Sequence, residues 1–371
     1  MSKDRCSNCF QIVLTVFCLA SGPAQGETSI NANIFSHIEF YDNSEVYIED
    51  RFSWGETALF VTGSLPNKWS FLFEGTYQAP KYREDNFTAE RIQVRYELNE
   101  DTWVSAGKMH TPVNYWNDNY HHGRLFFPTI NRPLSFNRFI PIHETGLRLG
   151  GQRLFNTPIG FDFVLGTGQS TGDDFFSEGV QSYTASFSWS LDARSKIMAS
   201  YYRDTILNHM NDADHGTHNN DPMVAAQGQA AVSPTPIAQA DSPHEVAGGQ
   251  NEDVPYELFS VSAFFDRGSW TALTELSLNR TNGGRSNEAV FQYVGYRLTD
   301  LVTLYGLFDM VNVNGTDIHF ERGREARVGL GLEFSFNANV SLKIEARRRD
   351  DHRGGLDFYS NELQAQLAVG F

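Results

Sequence analysis

Tyr359-Ser360-Asn361-Glu362-Leu363-Gln364-Ala365-Gln366-Leu367-Ala368-Val369-Gly370-Phe371 alternates along its length. Leu363, Ala365, Leu367, Val369 and Phe371 fall on one face, and Glu362, Gln364, Gln366 and Gly370 on the other. A period of two marks a strand whose two faces meet different surroundings. An edge strand of a soluble sandwich and a wall strand of a closed barrel both fit this segment taken alone.

The rest of the chain separates the two. Upstream, the same alternation predicts strands at 31–41, 52–64, 68–79, 87–98, 102–110, 144–154, 159–168 and 180–190. Further strands are predicted at 195–204, 256–266, 269–280, 288–298, 301–312, 326–336 and 340–350. In the fourth of these, Ile92, Val94, Tyr96 and Leu98 oppose Arg91, Gln93, Arg95 and Glu97. Tight turns such as Pro66-Asn67, Asn156-Thr157-Pro158 and Thr299-Asp300 alternate with longer connections, the largest being 111–143 and 205–255. Short turns on one rim and long loops on the other are the asymmetry of a barrel that crosses a membrane. Of 6 tryptophans, Trp69, Trp103, Trp189 and Trp270 sit beside short turns, where an aromatic girdle meets the lipid headgroups. The fold class expected is all-β: a transmembrane antiparallel β-barrel of about 16 strands, with long extracellular loops and short periplasmic turns.

The amino terminus agrees. Lys3 and Arg5 precede an apolar run from Phe10 to Ala20, and Ala24 and Gly26 form a small-x-small site. Residues 1–26 therefore read as a secretory signal peptide and 27–371 as the exported barrel. Cys6, Cys9 and Cys18, the 3 cysteines, lie inside that leader, which excludes disulfides and thiolate metal sites from the exported part. No later run reaches the ~18 apolar residues of a membrane-spanning helix. The net charge of −16 argues against a nucleic-acid partner.

Sixteen strands, a large third loop and a terminal Phe371 resemble a general bacterial outer-membrane porin. The segment Gly107-Lys108-Met109-His110-Thr111-Pro112-Val113-Asn114-Tyr115-Trp116-Asn117-Asp118, continuing to His121-His122-Gly123, resembles more narrowly the phosphate-selective and zinc-regulated outer-membrane porins. The resemblance implies a passive channel in the outer membrane of a Gram-negative bacterium, in contact with lipid and lipopolysaccharide, and a homotrimer.

In porins the third long loop folds into the lumen, and here that loop is 111–143. It holds Pro112, Pro128, Pro133 and Pro141, which stiffen it, and large aromatics that need burial. It is expected to pack as a constriction. Its Asp118, Arg124, Arg132 and Arg138, with Arg91, Arg95, Lys108 and Arg148 assigned to the neighbouring lumen wall, are the candidate pore-lining residues. Guanidinium forks hold carboxylate and phosphate well, so one reading is a positive eyelet with a weak anion preference. The other is that these arginines pair with Glu74, Glu97 and further lumen acids to brace the loop.

The insertion 205–255 lacks Lys and Arg and is rich in Asp, Glu, His and Pro. Its composition suits a disordered loop. It also concentrates His209, Asp212, Asp214, His215 and His218, ligand types suited to zinc or a related divalent ion, though at the spacing of no closed site. The alternative function is thus metal capture or uptake by a barrel displaying this loop; otherwise no cofactor is expected. Nucleophile elbow, zinc-helix and phosphate-loop motifs are missing from the sequence, so no enzyme activity is expected.

Overall fold

The computed structural model describes residues 28–48, 51–78, 87–120, 123–169, 180–206, 253–281, 286–315, 317, 319–354 and 357–371. The leader 1–26 and the ligand-bearing part of the 205–255 insertion, including His209, Asp212, Asp214, His215 and His218, lie outside the described residues.

Sixteen strands follow in order. They are β1 (Ser29–Asn43), β2 (Phe52–Leu65), β3 (Trp69–Tyr77), β4 (Phe87–Glu97), β5 (Thr102–His110), β6 (His143–Gly151), β7 (Ile159–Gly166) and β8 (Ser182–Ser190). The second half comprises β9 (Lys196–Ile206), β10 (Val254–Arg267), β11 (Trp270–Thr281), β12 (Asn287–Arg297), β13 (Val302–Val313), β14 (Gly323–Asn337), β15 (Val340–Arg353) and β16 (Phe358–Gly370). Each pairs antiparallel with its chain neighbours, and β16 returns to β1, so the sheet is a closed barrel. The closing seam runs from Phe35 opposite Gly370 to Asn43 opposite Glu362, and Ile34 and Phe371 exchange both backbone hydrogen bonds at 2.9 and 3.0 Å. Closure removes the unpaired edge that an open sheet presents.

The strands lie where the alternation places them, with shifts of a few residues at their ends. The sixth stops at Gly151 rather than near 154, because Arg153, Phe155 and Asn156 take left-handed backbone angles and turn the chain. At the tightest turns the left-handed positions fall on Asn67 and Lys68 and on Gly268; Gly lacks the side-chain penalty of that conformation and Asn tolerates it, while Lys68 takes the second left-handed place of its turn.

The two faces of the wall differ in kind. On β16, Glu362, Gln364 and Gln366 are buried inside while Leu363 and Leu367 are exposed outside. Around the cylinder the outer row includes Leu276, Leu278, Leu304, Phe308, Val328, Leu330 and Ile344, all exposed. So continuous an apolar belt is stable only against an apolar surrounding, which for strands of this length is a bilayer. No helix among the described residues is long and apolar enough to cross a membrane; the strands do it. Leu330→Arg, at a site 66% exposed near mid-strand, is therefore expected to lower stability in lipid vesicles by about 2–4 kcal/mol in a urea titration. An unchanged midpoint would mean that this belt does not face lipid.

Trp69, Trp189 and Trp270 stand exposed at the short-turn rim, Trp69 against Tyr96 and Trp270 against Tyr296 at ring separations of 4.8 and 4.7 Å. Trp103 corrects the girdle expected from sequence. It pairs with Glu97 and Gly150, and the Arg95 guanidinium lies 3.9 Å from its ring centroid, on the inner side of the wall. Its place beside a turn was right, but the strand parity turns it inward.

Candidate functional site: the lumen and its inserted loop

Residues 111–142 leave the end of β5 and pack inside the barrel before β6 begins. Val113, Trp116, Phe127, Leu134, Phe136, Phe139, Ile140 and Ile142 are buried, and they form one apolar cluster with inward-facing Tyr202, Tyr256, Leu258, Leu273, Phe291, Tyr293, Tyr305 and Leu307. Five adjacent strands, β9 to β13, are thus lined for the loop rather than for water. Trp116 is 0% exposed, with the rings of Tyr120, Phe127 and Phe291 each 5.3 Å away.

A loop drawn into a protein interior must find partners for its backbone donors. Wall side chains supply them. The one-turn helix α1 (Tyr115–Asn119) is capped by Asn114, whose side chain accepts from the Asn117 N–H at 2.7 Å. Glu275 on β11 accepts from the Trp116 N–H at 2.7 Å, and Ser262 on β10 from the Tyr115 N–H at 3.1 Å. Further along, Glu345 on β15 accepts from the Ile130 N–H at 2.5 Å and Asp309 on β13 from the Leu134 N–H at 2.8 Å. Asn131 donates to Gln364 on β16 at 2.9 Å, and the Lys343 ammonium donates to the Arg124 carbonyl at 2.9 Å. The loop is pinned at both ends and along its middle.

Most of the charged residues anticipated from sequence are set against carboxylates or the loop backbone. Arg91 joins Glu74 through its Nε, and Arg95 joins Glu97 at 2.7 Å. Arg148 reaches Asp162 at 2.7 Å and Asp118 at 3.4 Å, and Lys196 stands 4.0 Å from Asp118. Arg138 lies 3.6 Å from Glu321 on the β13–β14 connection. Arg124 is buried and donates to the Ile130 carbonyl at 3.0 Å. Arg132 stacks toward Phe127, and burial pushes its guanidinium down to about 10, with the neighbouring Arg124 charge adding to the effect; it stays charged at neutral pH. Lys108 departs from the lumen assignment. It stands opposite Ile92 and Thr145, in line with outward-facing Leu147 and Leu149, and Gly107 before it takes φ 124°, so the register does not group it with Arg91, Arg95 and Arg148.

Beside the loop, against β1, β2 and β4, a cavity of about 270 Å³ remains, with Arg91, Asp118, Phe35, Phe60 and Phe126 in its lining.

The chain matches no protein-family model and no curated protein sequence. Solved structures do match. An anion-selective porin from Comamonas acidovorans superimposes with a TM-score of 0.63 at 10% identity, over 93% of this chain and 100% of that one. The outer-membrane channel DcaP of Acinetobacter baumannii gives 0.60 at 9% identity, over 94% and 99%. The trimer form of OmpT, an outer membrane protein of Vibrio cholerae, gives 0.55 at 11% identity, over 93% and 100%. The fold is that of an outer-membrane barrel. At such identities the likeness is one of architecture, and the lumen must be read from this chain's own residues.

Those residues include a set that sequence reasoning missed. Along β15, Lys343, Glu345, Arg347, Arg349 and Asp351 all point inward and are buried. Arg347 pairs with Glu345, Arg349 with Asp351 at 2.7 Å and Glu325 at 3.0 Å, and Arg327 with Glu325 at 2.9 Å. The signal was present as every second residue of 343–351, but the run Arg347-Arg348-Arg349-Asp350-Asp351 resembles a solvated charge cluster unless its faces are separated. Among the described residues, no group of three or more His, Cys, Asp or Glu side chains is placed to hold a metal ion.

Proposed function

We propose that this protein is a passive diffusion channel of a Gram-negative outer membrane, passing small hydrophilic solutes beside the inserted loop, and that it works as a homotrimer among lipid and lipopolysaccharide. The observation that carries the reading is the combination of an outer apolar belt with an inner wall of charged residues and an open cavity next to the loop. Such a lumen admits water and polar solutes, and its narrowest part sets which ones pass. The similar structures include an anion-selective porin and an outer-membrane channel, which supports a channel over an enzyme.

A weak anion preference, phosphate included, was expected from Arg91, Arg95, Lys108 and Arg148. Arg91, Arg95 and Arg148 each lie against a carboxylate. Pairing cancels most of the field a bare arginine eyelet would project, so we favour a channel of nearly balanced ion selectivity. Metal capture by the 205–255 insertion rests on residues beyond those described, and no described feature adds to it.

Recordings in planar bilayers test this. Potassium chloride gradients are expected to give steady conductance with a reversal potential close to zero, unchanged when zinc or phosphate is added. A potential strongly favouring chloride would restore the arginine eyelet. A barrel that inserts and carries no current would contradict the channel.

A further inference from the structure

The cavity left beside the loop is not a bland gap. Phe126, on the loop, is 57% exposed although the loop's other large apolar side chains are mostly buried, and it faces Phe35 of β1 edge-on at 5.1 Å. Phe35 in turn meets Phe60 of β2 edge-on at 5.4 Å. Three phenyl rings thus line this lumen cavity, where a polar lining would be expected. On the same lining stands Arg91, whose guanidinium lies 5.7 Å from the Phe60 centroid and whose Nε is taken by Glu74, which leaves its two outer nitrogens for another acceptor. Asp118 also lines the cavity, a carboxylate at 20% exposure held in place by Arg148 and Lys196. Asn33 and Asn119 add neutral donors and acceptors.

A space lined by phenyl rings, the Arg91 guanidinium, the Asp118 carboxylate and the His110 imidazole is complementary to a molecule carrying a ring and both charges. Both charged groups are already ion-paired, Arg91 with Glu74 and Asp118 with Arg148 and Lys196. What they offer a solute is therefore a polar contact each, and a solute with one charge gives up one of the two. We infer that this cavity is a binding subsite for a zwitterionic solute with an aromatic ring, of the aromatic α-amino acid type. The carboxylate takes the outer edge of the Arg91 fork, the ammonium takes Asp118, and the ring packs edge-on with Phe35, Phe60 and Phe126. The subsite deepens the channel reading and rests on it for its biological meaning: a shallow station on the permeation path slows a solute enough to select it without trapping it.

The test pairs two measurements on the full chain: calorimetric titration of the detergent-solubilised barrel, and current through single channels in bilayers. L-phenylalanine is expected to give saturable heat and brief, concentration-dependent interruptions of current, while alanine gives neither. 3-Phenylpropionate and phenethylamine, each lacking one charge, are expected to bind more weakly than phenylalanine. Phe126→Ala, on an exposed loop side chain, is expected to weaken phenylalanine binding about tenfold, the size of one lost aromatic contact, and Arg91→Lys to weaken it while keeping the charge. Equal binding of phenylpropionate and phenylalanine would overturn the zwitterionic assignment. Steady conduction with no heat from phenylalanine would overturn the subsite and leave the channel standing; heat without any conduction would do the reverse.

Discussion

Trp116→Ala is expected to loosen the inserted loop by about 3–5 kcal/mol, the cost of emptying a fully buried aromatic site. The indole fills the middle of the apolar cluster between loop and wall, touching rings from both. The polar pins at Glu275, Glu345 and Asp309 survive the substitution. The loop should therefore remain in the lumen but sample looser positions. In single-channel recordings the steady current of the native protein should give way to larger, fluctuating conductance. Trp189→Ala, which removes an exposed outer ring, should leave the current quiet. Identical traces from native protein and Trp116→Ala would mean that the loop does not define the passage.

Glu345→Ala should do comparable damage by a different route. This carboxylate is 0% exposed and serves three donors: the Ile130 N–H, the Tyr305 hydroxyl at 2.7 Å and the Arg347 guanidinium. Removing it strands a buried cation along with two neutral donors. Breaking one side of a buried pair costs about 3–5 kcal/mol, measurable as a lowered urea midpoint in detergent. Glu345→Gln keeps an acceptor oxygen and should cost less. The sign of the electrical effect follows from the charge lost. With one carboxylate gone beside Lys343, Arg347 and Arg349, the reversal potential should shift toward anions, and a shift toward cations would contradict the inward placement of this row.

Much of this architecture was legible in the residue order. The period of two in 359–371 assigns Glu362, Gln364 and Gln366 to the inside, and the closed sheet buries those three. Strand ends were less legible, because left-handed residues such as Arg153 and Phe155 stop a strand without leaving an obvious mark in composition. Parity decided the errors. Trp103 sits beside a turn like Trp69, yet one step in register places it under Arg95 instead of against lipid. Lys108 shares the parity of exposed Val104 and Ala106 in an unbroken register, so strict alternation along β5 already sets it apart from Arg95 and Arg148.

The pose of the loop was beyond sequence reasoning in a different sense. Its aromatics announced burial, but their partners, Tyr202, Phe291 and Tyr305, lie on strands far along the chain. Tertiary pairing of that range leaves no local pattern. The same holds for the arginines. Their number is visible in the sequence, whereas their cancellation by Glu74, Glu97 and Asp162 depends on which strands become neighbours.

Cross-linking tests most directly whether the 111–142 segment lies inside the cylinder with a passage beside it. Residues 28–371 contain no cysteine, so Asn131→Cys with Gln364→Cys, whose native side chains meet at 2.9 Å, places one thiol on the loop and one on the inner wall. A short bifunctional thiol reagent should join them in the folded barrel, and the joined channel should still conduct. Free thiols after treatment of folded protein, or a joined barrel with no current, would contradict the account.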